Sequence, residues 1–403
     1  MLTTILYRSH LDEHVPVRVL EDIVARANTK NALSDITGIL LFDGRHFFQL
    51  LEGPDRAVRH IYERIRQDAR HHNLVELMHD FAPARRFGNT GMELFDLRQH
   101  ARSSVLQAVL DKGTSRHQLT YDDRALQFLR TFVEAREKEN YFEIPPANTW
   151  EFVEDDTARR ELNDFQHFIQ DCRFAFQPIV DPFSRRIAAY EALIRTPSGG
   201  APEEYFAAFG GDAVYRADIQ SKSLAFNLAS KLGLGQHTLT INLLPMSLVT
   251  VPHAVDFLLA EIHASGLIPE QIVVEVTENE IISRADEFTA EVRKLKAAGI
   301  SLALDDFGAG FAGLSLLAKF QPDKIKIDRE IISDVHKSGP KQAIVHAIIK
   351  CCASLEIAVV AEGVEKAEEW MWLEAAGINQ FQGYLFARPM LNAFPSIAWP
   401  EIR

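Results

Sequence analysis

Two carboxylates, Asp305 and Asp306, stand side by side at the end of the apolar run in "SLALDDFGAG". Adjacent anions repel unless positive charge lies between them, so the pair points to bound cations. Further oxygen-bearing side chains recur in strand-length apolar runs: Glu191 in "IAAYEALIR", Asn242 in "TLTINLLP" and Glu275 in "QIVVEVTE". Lys326 and Asp328 fall in "DKIKIDR", Glu362 and Glu365 in "IAVVAEGVE", and Gln382 in "FQGYLFA". One such acid alone reads as a helix cap. Glu191, Glu275, Asp305, Asp306, Glu362 and the Asn242 amide brought to one rim would demand cations. Hard oxygen ligands without His or Cys suit Mg²⁺ or Mn²⁺ rather than Zn²⁺. Two ions sharing a bridging carboxylate fit so many ligands, and the neighbouring aspartates are the natural bridge. Such a site activates a water and stabilises the displaced oxygen of a phosphodiester. Lys326 either deprotonates that water or only orients it, since a lysine among anions stays protonated. Gly308 and Gly310 permit a tight turn over the site.

These residues need a scaffold that gathers strand ends. From about residue 155, apolar runs alternate with helical segments, starting with "FAFQPIV" and ending with "FQGYLFA". Helices are marked by Leu224/Leu228/Leu232 and by Phe288/Val292/Leu295, the latter closed by Gly299 as a C-cap. Eight buried runs separated by helices predict a (β/α)8 barrel with its active site at the strands' C-terminal ends. "DPFSRR" between the first two runs is too short for a crossover helix, so the first strand is expected antiparallel to the second.

The first ~95 residues predict a different, α+β unit. "LTTILYRS" reads as a strand, "PVRVLEDIVARANTKN" as a helix, and "ITGILLFDGRHFFQLLEG" as a hairpin through Asp43-Gly44. "DRAVRHIYERIRQDARH" reads as a second helix, and two short strands follow within "HDFAPARRFGNTGMELFDL". Tyr7 and Gln49 sit in apolar strands, where a buried glutamine requires hydrogen-bond partners. Either they bond each other in the core or both face a polar heterocycle between the helices. The expected division is a sensor domain over 1–97, helical connector over 98–154, and barrel over 155–403. The alternative is that the connector helices cap the first sheet's free face.

Bulk properties bound the rest. The chain has 403 residues and 47% hydrophobic content, as expected of a soluble protein of two domains. The net charge of −13 argues against duplex nucleic acid. The three cysteines suit a reducing compartment; Cys351 and Cys352 read as core positions on the helical stripe of Ile344, Ala347 and Ile348. No apolar run is long enough to span a membrane and "MLTTILYRSH" lacks signal-peptide features, so a cytoplasmic location is expected.

In order, "YEALIR", "NLLP", "EVTE", "DDFGAG", "KIKIDR", "AEGVE" and "QGYLFARP" resemble the EAL family, the cyclic di-GMP phosphodiesterases. The resemblance implies hydrolysis of cyclic di-GMP to pGpG with two Mg²⁺ or Mn²⁺ ions, and a homodimer formed through this domain. It implies metal ligation by Glu191, Asn242, Glu275, Asp305, Asp306 and Glu362, with Lys326 acting on the water and Glu365 and Gln382 supporting the metals. Gln177, Leu193, Arg195 and Asp328 would contact substrate, the arginine at a phosphate or guanine edge. "GAGFAGLSLL" departs from active relatives at Ala309, Phe311 and Ala312, in a loop that gates the site. Over residues ~1–97, Tyr7, "KN" at Lys30-Asn31, "ITG", "FFQLLEG", "DARH" and Met92 resemble the BLUF family of blue-light sensors. That resemblance implies a ferredoxin-like domain holding FAD or FMN noncovalently, with Ile23, Asn31, Gln49, Asp68, Arg70 and His71 around it. Tyr7 would donate an electron and proton to the excited flavin, Gln49 would rearrange its bonds, and the strand of Met92 would shift. Thr90 stands where many relatives carry Trp. Together the two resemblances imply a light-regulated phosphodiesterase; the alternative is a light-sensing receptor that binds cyclic di-GMP without cleaving it.

Overall fold

Period-two alternation builds the first sheet. Along β1 (Leu2–Leu11), Ile5 and Tyr7 face one side and Leu6 the other. In β2 (Thr37–Phe42) and β3 (His46–Pro54), Leu40, Phe42, Phe47 and Leu51 join the first side, and Ile39, Leu41, Phe48 and Leu50 the second. The computed structural model describes residues 2–16, 19–82, 85–88, 90–111, 124–134, 141–161, 172–277, 284–309 and 313–403. It divides into two compact units, Met1–Ile144 with Asp334–Ala343, and Pro145–Ser333 with Ile344–Arg403.

In the first unit, α1 (Val19–Leu33) and α2 (Asp55–Arg66) pack on the Tyr7 side. With β4 (His71–Ala82) and β5 (Gly91–Asp96), the strand order is β4-β1-β3-β2-β5. Strands β2 and β5 pair in parallel, and β4-β1-β3-β2 is the antiparallel ferredoxin-like arrangement. The second helix is shorter than its pattern predicts. It ends at Arg66, and the Asp68 carboxylate accepts the Arg70 N–H at 3.0 Å, a local turn that competes with helix. The strand then begins at His71. Helices α3 (Arg102–Leu110) and α4 (Arg124–Glu134) cover the sheet's other side, where Phe132 stacks on Phe48 at 4.8 Å. The connector segments are therefore caps on this sheet, with Val105, Val109, Leu126 and Leu129 in its core.

The second unit opens with β6 (Trp150–Asp155) and β7 (Arg160–Glu161). The barrel strands follow as β8 (Arg173–Asp181), β9 (Arg186–Arg195), β10 (Thr238–Asn242), β11 (Ile272–Thr277), β12 (Ser301–Phe307), β13 (Lys324–Ile327), β14 (Ala358–Ala361) and β15 (Gln380–Phe381). Neighbours pair in this order, and β15 closes on β8. As the short connection predicts, β8 runs antiparallel to β9, while β9 through β15 are parallel. Helices intervene: α5 (Pro202–Phe206), α6 (Ala213–Lys231), α7 (Pro245–Thr250), α8 (Ala254–Ala264), α9 (Ala285–Ala297), α10 (Gly313–Phe320), α11 (Arg329–Ile332), α12 (Gly339–Ser354) and α13 (Ala367–Ala375). Phe288, Val292 and Leu295 are buried as their spacing predicts, and Gly299 follows α9 at φ +94°. On α12 the core stripe is Val345, Ile348 and Cys352; Ile344 is exposed and Cys351 only part-buried, which corrects the expected stripe by one residue. The chain ends in β16 (Met390–Leu391) on β8, β17 (Ala393–Phe394) on β7 and β18 (Ile397–Ile402) on β6, pairings that no local pattern signals.

Candidate functional site

Parallel register brings the strand ends level. Asn242 pairs with Glu275 across β10 and β11, and Thr277 with Asp305 across β11 and β12. A register shift between Leu304 and Phe307 breaks the regular pleat, with Asp306 held at φ +51°. In a regular strand adjacent side chains point to opposite faces. The left-handed turn lets Asp305 and Asp306 reach the same rim, and Gly308 at φ +97° completes it.

Lys326 is the positive charge that Asp305 shares with three glutamates. Its Nζ lies 2.5 Å from Glu362, 2.9 Å from Glu275, 3.2 Å from Glu191 and 3.4 Å from Asp305. Glu191 also accepts from Asn242 Nδ2 and Gln382 Nε2, both at 2.6 Å. Burial pushes Lys326 toward its neutral form, but Asp305, Glu191, Glu275 and Glu362 outweigh it and hold the ammonium well above its ordinary range. Glu191 is also pushed up by burial, yet Lys326 and the amides of Gln382 and Asn242 bring it below the usual carboxylate value. Burial drives Glu275 up to about 8, with Glu191 and Asp305 adding to the rise against Lys326. Burial and Asp305 likewise raise Glu362 well above its ordinary value, and Asp306 reaches about 6 through burial, Asp305 and Asp328. The set is short of positive charge even with its lysine.

The donors fit divalent cations. Among the described residues, Glu191, Glu275 and Asp305 offer oxygens within 4.8 Å of one another, and so do Asp305, Asp306 and Glu362. Asp305 belongs to both triads, the arrangement a bridging ligand requires. The expected ligand residues Glu191, Asn242, Glu275, Asp305 and Asp306, together with Leu193, line a cavity of about 470 Å³. Gln177 donates to the Ala387 carbonyl and accepts from Gln382 at 3.1 Å. Arg195 is part-buried, with Nη1 on the Ile194 carbonyl. Asp328 caps α11 by accepting from the Glu330 N–H at 2.7 Å. Glu365 pairs with Arg329 at 2.9 Å and is not brought to the acidic set by any described bond. Gly310, Phe311 and Ala312 lie outside the described residues. Sequence reading missed Asp218 and Lys222, a buried pair that also lines the cavity; their i,i+4 spacing on one helix was the available signal. Asp218 accepts from the Leu244 N–H at 2.9 Å and Ser247 Oγ at 2.7 Å, anchoring the loop that follows Asn242.

In the first unit, Tyr7 Oη donates to Gln49 Oε1, and Gln49 Nε2 reaches Met92 Sδ at 3.4 Å. The pair bonds within itself, as the first of the two readings expects, and it also borders space between α1 and α2. A cavity of about 520 Å³ is lined by Ile23, Asn31, Gln49, Asp68, Arg70 and Met92; a smaller one, about 100 Å³, adds Tyr7 and His71. Asn31 Nδ2 faces the Gly91 carbonyl at 3.4 Å, Arg70 is paired with Asp68, and His71 bonds Ser9 Oγ and the Ile65 carbonyl. Apolar walls from Ile23, Val24, Leu40 and Ile65 with polar groups at the edge fit a flat heteroaromatic ring. No described helix is long and apolar enough to cross a membrane.

Comparison with known proteins follows the same division. The model of the EAL domain matches residues 161–389, and that of "Sensors of blue-light using FAD" (BLUF) matches residues 2–93. The blue light- and temperature-regulated antirepressor BluF of Escherichia coli is 59% identical over 403 residues, all of both chains. The cyclic di-GMP phosphodiesterase PdeR, also of Escherichia coli, is 40% identical over 128 residues, 32% of this chain and 19% of its own. Klebsiella pneumoniae BlrP1, solved as a manganese and cyclic di-GMP complex, superposes with a TM-score of 0.93 and 45% identity over 100% of both chains. BlrP1 with FMN and cyclic di-GMP and without metal ions gives 0.87 and 41% over the same coverage. This chain therefore belongs to the EAL family, as a member that carries a BLUF domain ahead of its EAL barrel.

Proposed function

We propose that the chain hydrolyses cyclic di-GMP to linear pGpG, at a rate set by blue light absorbed in its first unit. The observation that carries the reading is the acidic rim, in which two oxygen triads share Asp305 beside an open cavity. Bound there, a pair of Mg²⁺ or Mn²⁺ ions would supply an activated water and charge stabilisation for the displaced phosphodiester oxygen. Glu191, Glu275 and Asp305 would hold one ion and Asp305, Asp306 and Glu362 the other, with Asn242 completing the set. Lys326, within 3.4 Å of four of these carboxylates, is placed beside the ions' site, where it would orient the nucleophile or accept its proton. Leu193 in the cavity wall, with Arg195, Gln177 and Asp328 near the strand ends, would hold the dinucleotide.

A flavin bound between α1 and α2 would supply light absorption and a reversible redox change. The chain's part lies in the Tyr7–Gln49–Met92 bonds. Burial, with Tyr62 and Asp68 adding to it, raises Tyr7 well above its ordinary value, so its phenol proton stays on Oη facing Gln49. Any reorientation of the Gln49 amide exchanges its donor and acceptor ends between Tyr7 and Met92, and so perturbs β1, β3 and β5 together.

A second reading follows from the antirepressor named above: the barrel binds cyclic di-GMP without cleaving it and signals through a protein partner. Flavin-loaded protein incubated with cyclic di-GMP and Mg²⁺ or Mn²⁺, in dark and in blue light, decides between them. Appearance of pGpG at different rates supports the proposal. Unchanged dinucleotide retained by the protein supports the second reading, and equal rates in dark and light remove the light control.

A further inference from the structure

The EAL barrel is interrupted by a stretch of chain that belongs to the sensor unit. After β13 and α11 the chain leaves the second unit at Ser333, contributes Asp334–Ala343 to the first, and returns at Ile344 within α12. Two anchors hold this segment on the sensor sheet. Arg8 is 4% exposed, and its Nη2 donates to Gln342 Oε1 at 2.8 Å while its guanidinium lies 4.0 Å from the centre of the Tyr141 ring. A buried guanidinium needs such acceptors, so this bond is more specific than a surface contact. Gln342 is buried too, and its Nε2 donates to the carbonyls of Val335 at 3.1 Å and His336 at 3.3 Å, which ties the segment's turn to the Arg8 bond. The second anchor is on β4, the edge strand, where Ser338 forms a parallel bridge with Glu76. At Gly339 an added Cβ would lie 2.7 Å from Leu77 Cδ2 and 3.1 Å from the Glu76 carbonyl oxygen, so the segment packs closely on β4 there.

Both anchors adjoin Tyr7. In the sheet register Tyr7 stands opposite Gln49 on β3 and opposite Glu76 on β4, and Arg8 is the next residue of β1. At its other ends the segment continues into the barrel: Lys326 and Asp328 precede it in the chain, and α12 leads on to β14 and Glu362. We infer that Asp334–Ala343 is a strut through which the state of the Tyr7–Gln49 pair reaches the acidic rim, with the Arg8–Gln342 bond as its sensing joint. The inference rests on the light-regulated reading above and names its route. A shift of β1 against β3 or β4 acts on Arg8 and Glu76 together, and the covalent chain carries it to the strand ends bearing Lys326 and Glu362.

The test is hydrogen–deuterium exchange on the flavin-loaded full chain in dark and blue light, for wild type, Gln342→Leu and Gln342→Glu. Gln342→Leu removes the acceptor for Arg8, whereas Gln342→Glu restores one. Wild type should show a light-dependent change in exchange over 334–343. In Gln342→Leu that change should vanish and the light-to-dark ratio of hydrolysis should fall to one, with the light-induced spectral shift and dark rate retained. Gln342→Glu should recover the exchange response. A wild-type chain that shows the spectral shift but identical exchange over 334–343 overturns the strut and leaves the light reading standing, as does a full response in Gln342→Leu. A chain that takes up no flavin overturns the light reading, and the strut with it.

Discussion

Removing the Lys326 charge tests the reading of the acidic rim most directly. In Lys326→Met, Glu191, Glu275, Asp305 and Glu362 lose an ammonium that lies 2.5 to 3.4 Å from each. At an effective dielectric of about 20, each contact is worth roughly 5–7 kcal/mol before desolvation and carboxylate repulsion are counted. The net cost of breaking a buried pair on one side is about 3–5 kcal/mol. In chelator the variant should therefore unfold about 3–5 kcal/mol more easily than wild type. All four tryptophans, Trp150, Trp370, Trp372 and Trp399, lie in the second unit, so intrinsic fluorescence during urea unfolding reports that unit alone. The sign of the pH dependence is fixed. Without Lys326, Glu275 and Glu362 are pushed further above their unfolded values and Glu191 loses the charge that holds it low, so the folded variant binds extra protons and its deficit grows as pH rises from 5 to 8. Glu275, at about 8 even beside the lysine, already shows that tendency. Mn²⁺ should stabilise the variant more than wild type, because the cations replace the missing charge; at 100 times the dissociation constant the gain is about 2.7 kcal/mol. Hydrolysis should be lost. A deficit below about 1 kcal/mol in chelator, or equal stabilisation of both proteins by Mn²⁺, would refute the claim that these carboxylates share one buried cation.

Glu191→Ala should lower cyclic di-GMP turnover by more than about 100-fold, beyond the effect of losing a residue that only supports a metal ligand, while the flavin spectrum is unchanged; retained turnover would remove Glu191 from the ligand set. Tyr7→Phe deletes the donor to Gln49 Oε1 at a cost of about 1 kcal/mol, and should abolish the spectral shift while dark hydrolysis continues; a normal shift counts against Tyr7 as electron and proton donor. Acid should weaken the sensor unit through His10, which is 1% exposed, and is pushed down to about 3 by burial and by His46, Arg8, His72 and Arg45. Since unfolded His10 takes up a proton near pH 6.5 and folded His10 does not, stability falls on acidification, by about 1 kcal/mol between pH 7 and 5.5. His10→Phe should flatten that part of the denaturation profile, and an unchanged slope would locate the acid sensitivity elsewhere.

The candidate site was legible because barrel chemistry sits at strand ends, and a strand end can be read from where an apolar run stops. Asn242, Asp305, Asp306 and Glu362 announce themselves in this way, Glu191, Glu275 and Lys326 do so as charged residues inside apolar runs, and the antiparallel first strand does so through its short connection. The same local reading carried Tyr7 and Gln49, polar residues in apolar strands. It misjudged the end of the second helix, where the Asp68 side chain turns the backbone, and the facing of Ile344, where one residue of helix rotation changes core to surface.

Residue order and periodicity thus determined the two folds, their sequence and the identity of the acidic set. Only the tertiary structure decided that Lys326 sits among four carboxylates, that Asp305 belongs to both triads, that α3 and α4 cap the first sheet, that β6 pairs with β18, and that Asp334–Ala343 belongs to the sensor unit. The reason is physical. Periodicity states which face of an element must be buried, but the partner that buries it is chosen by complementary shape and charge from residues hundreds of positions away.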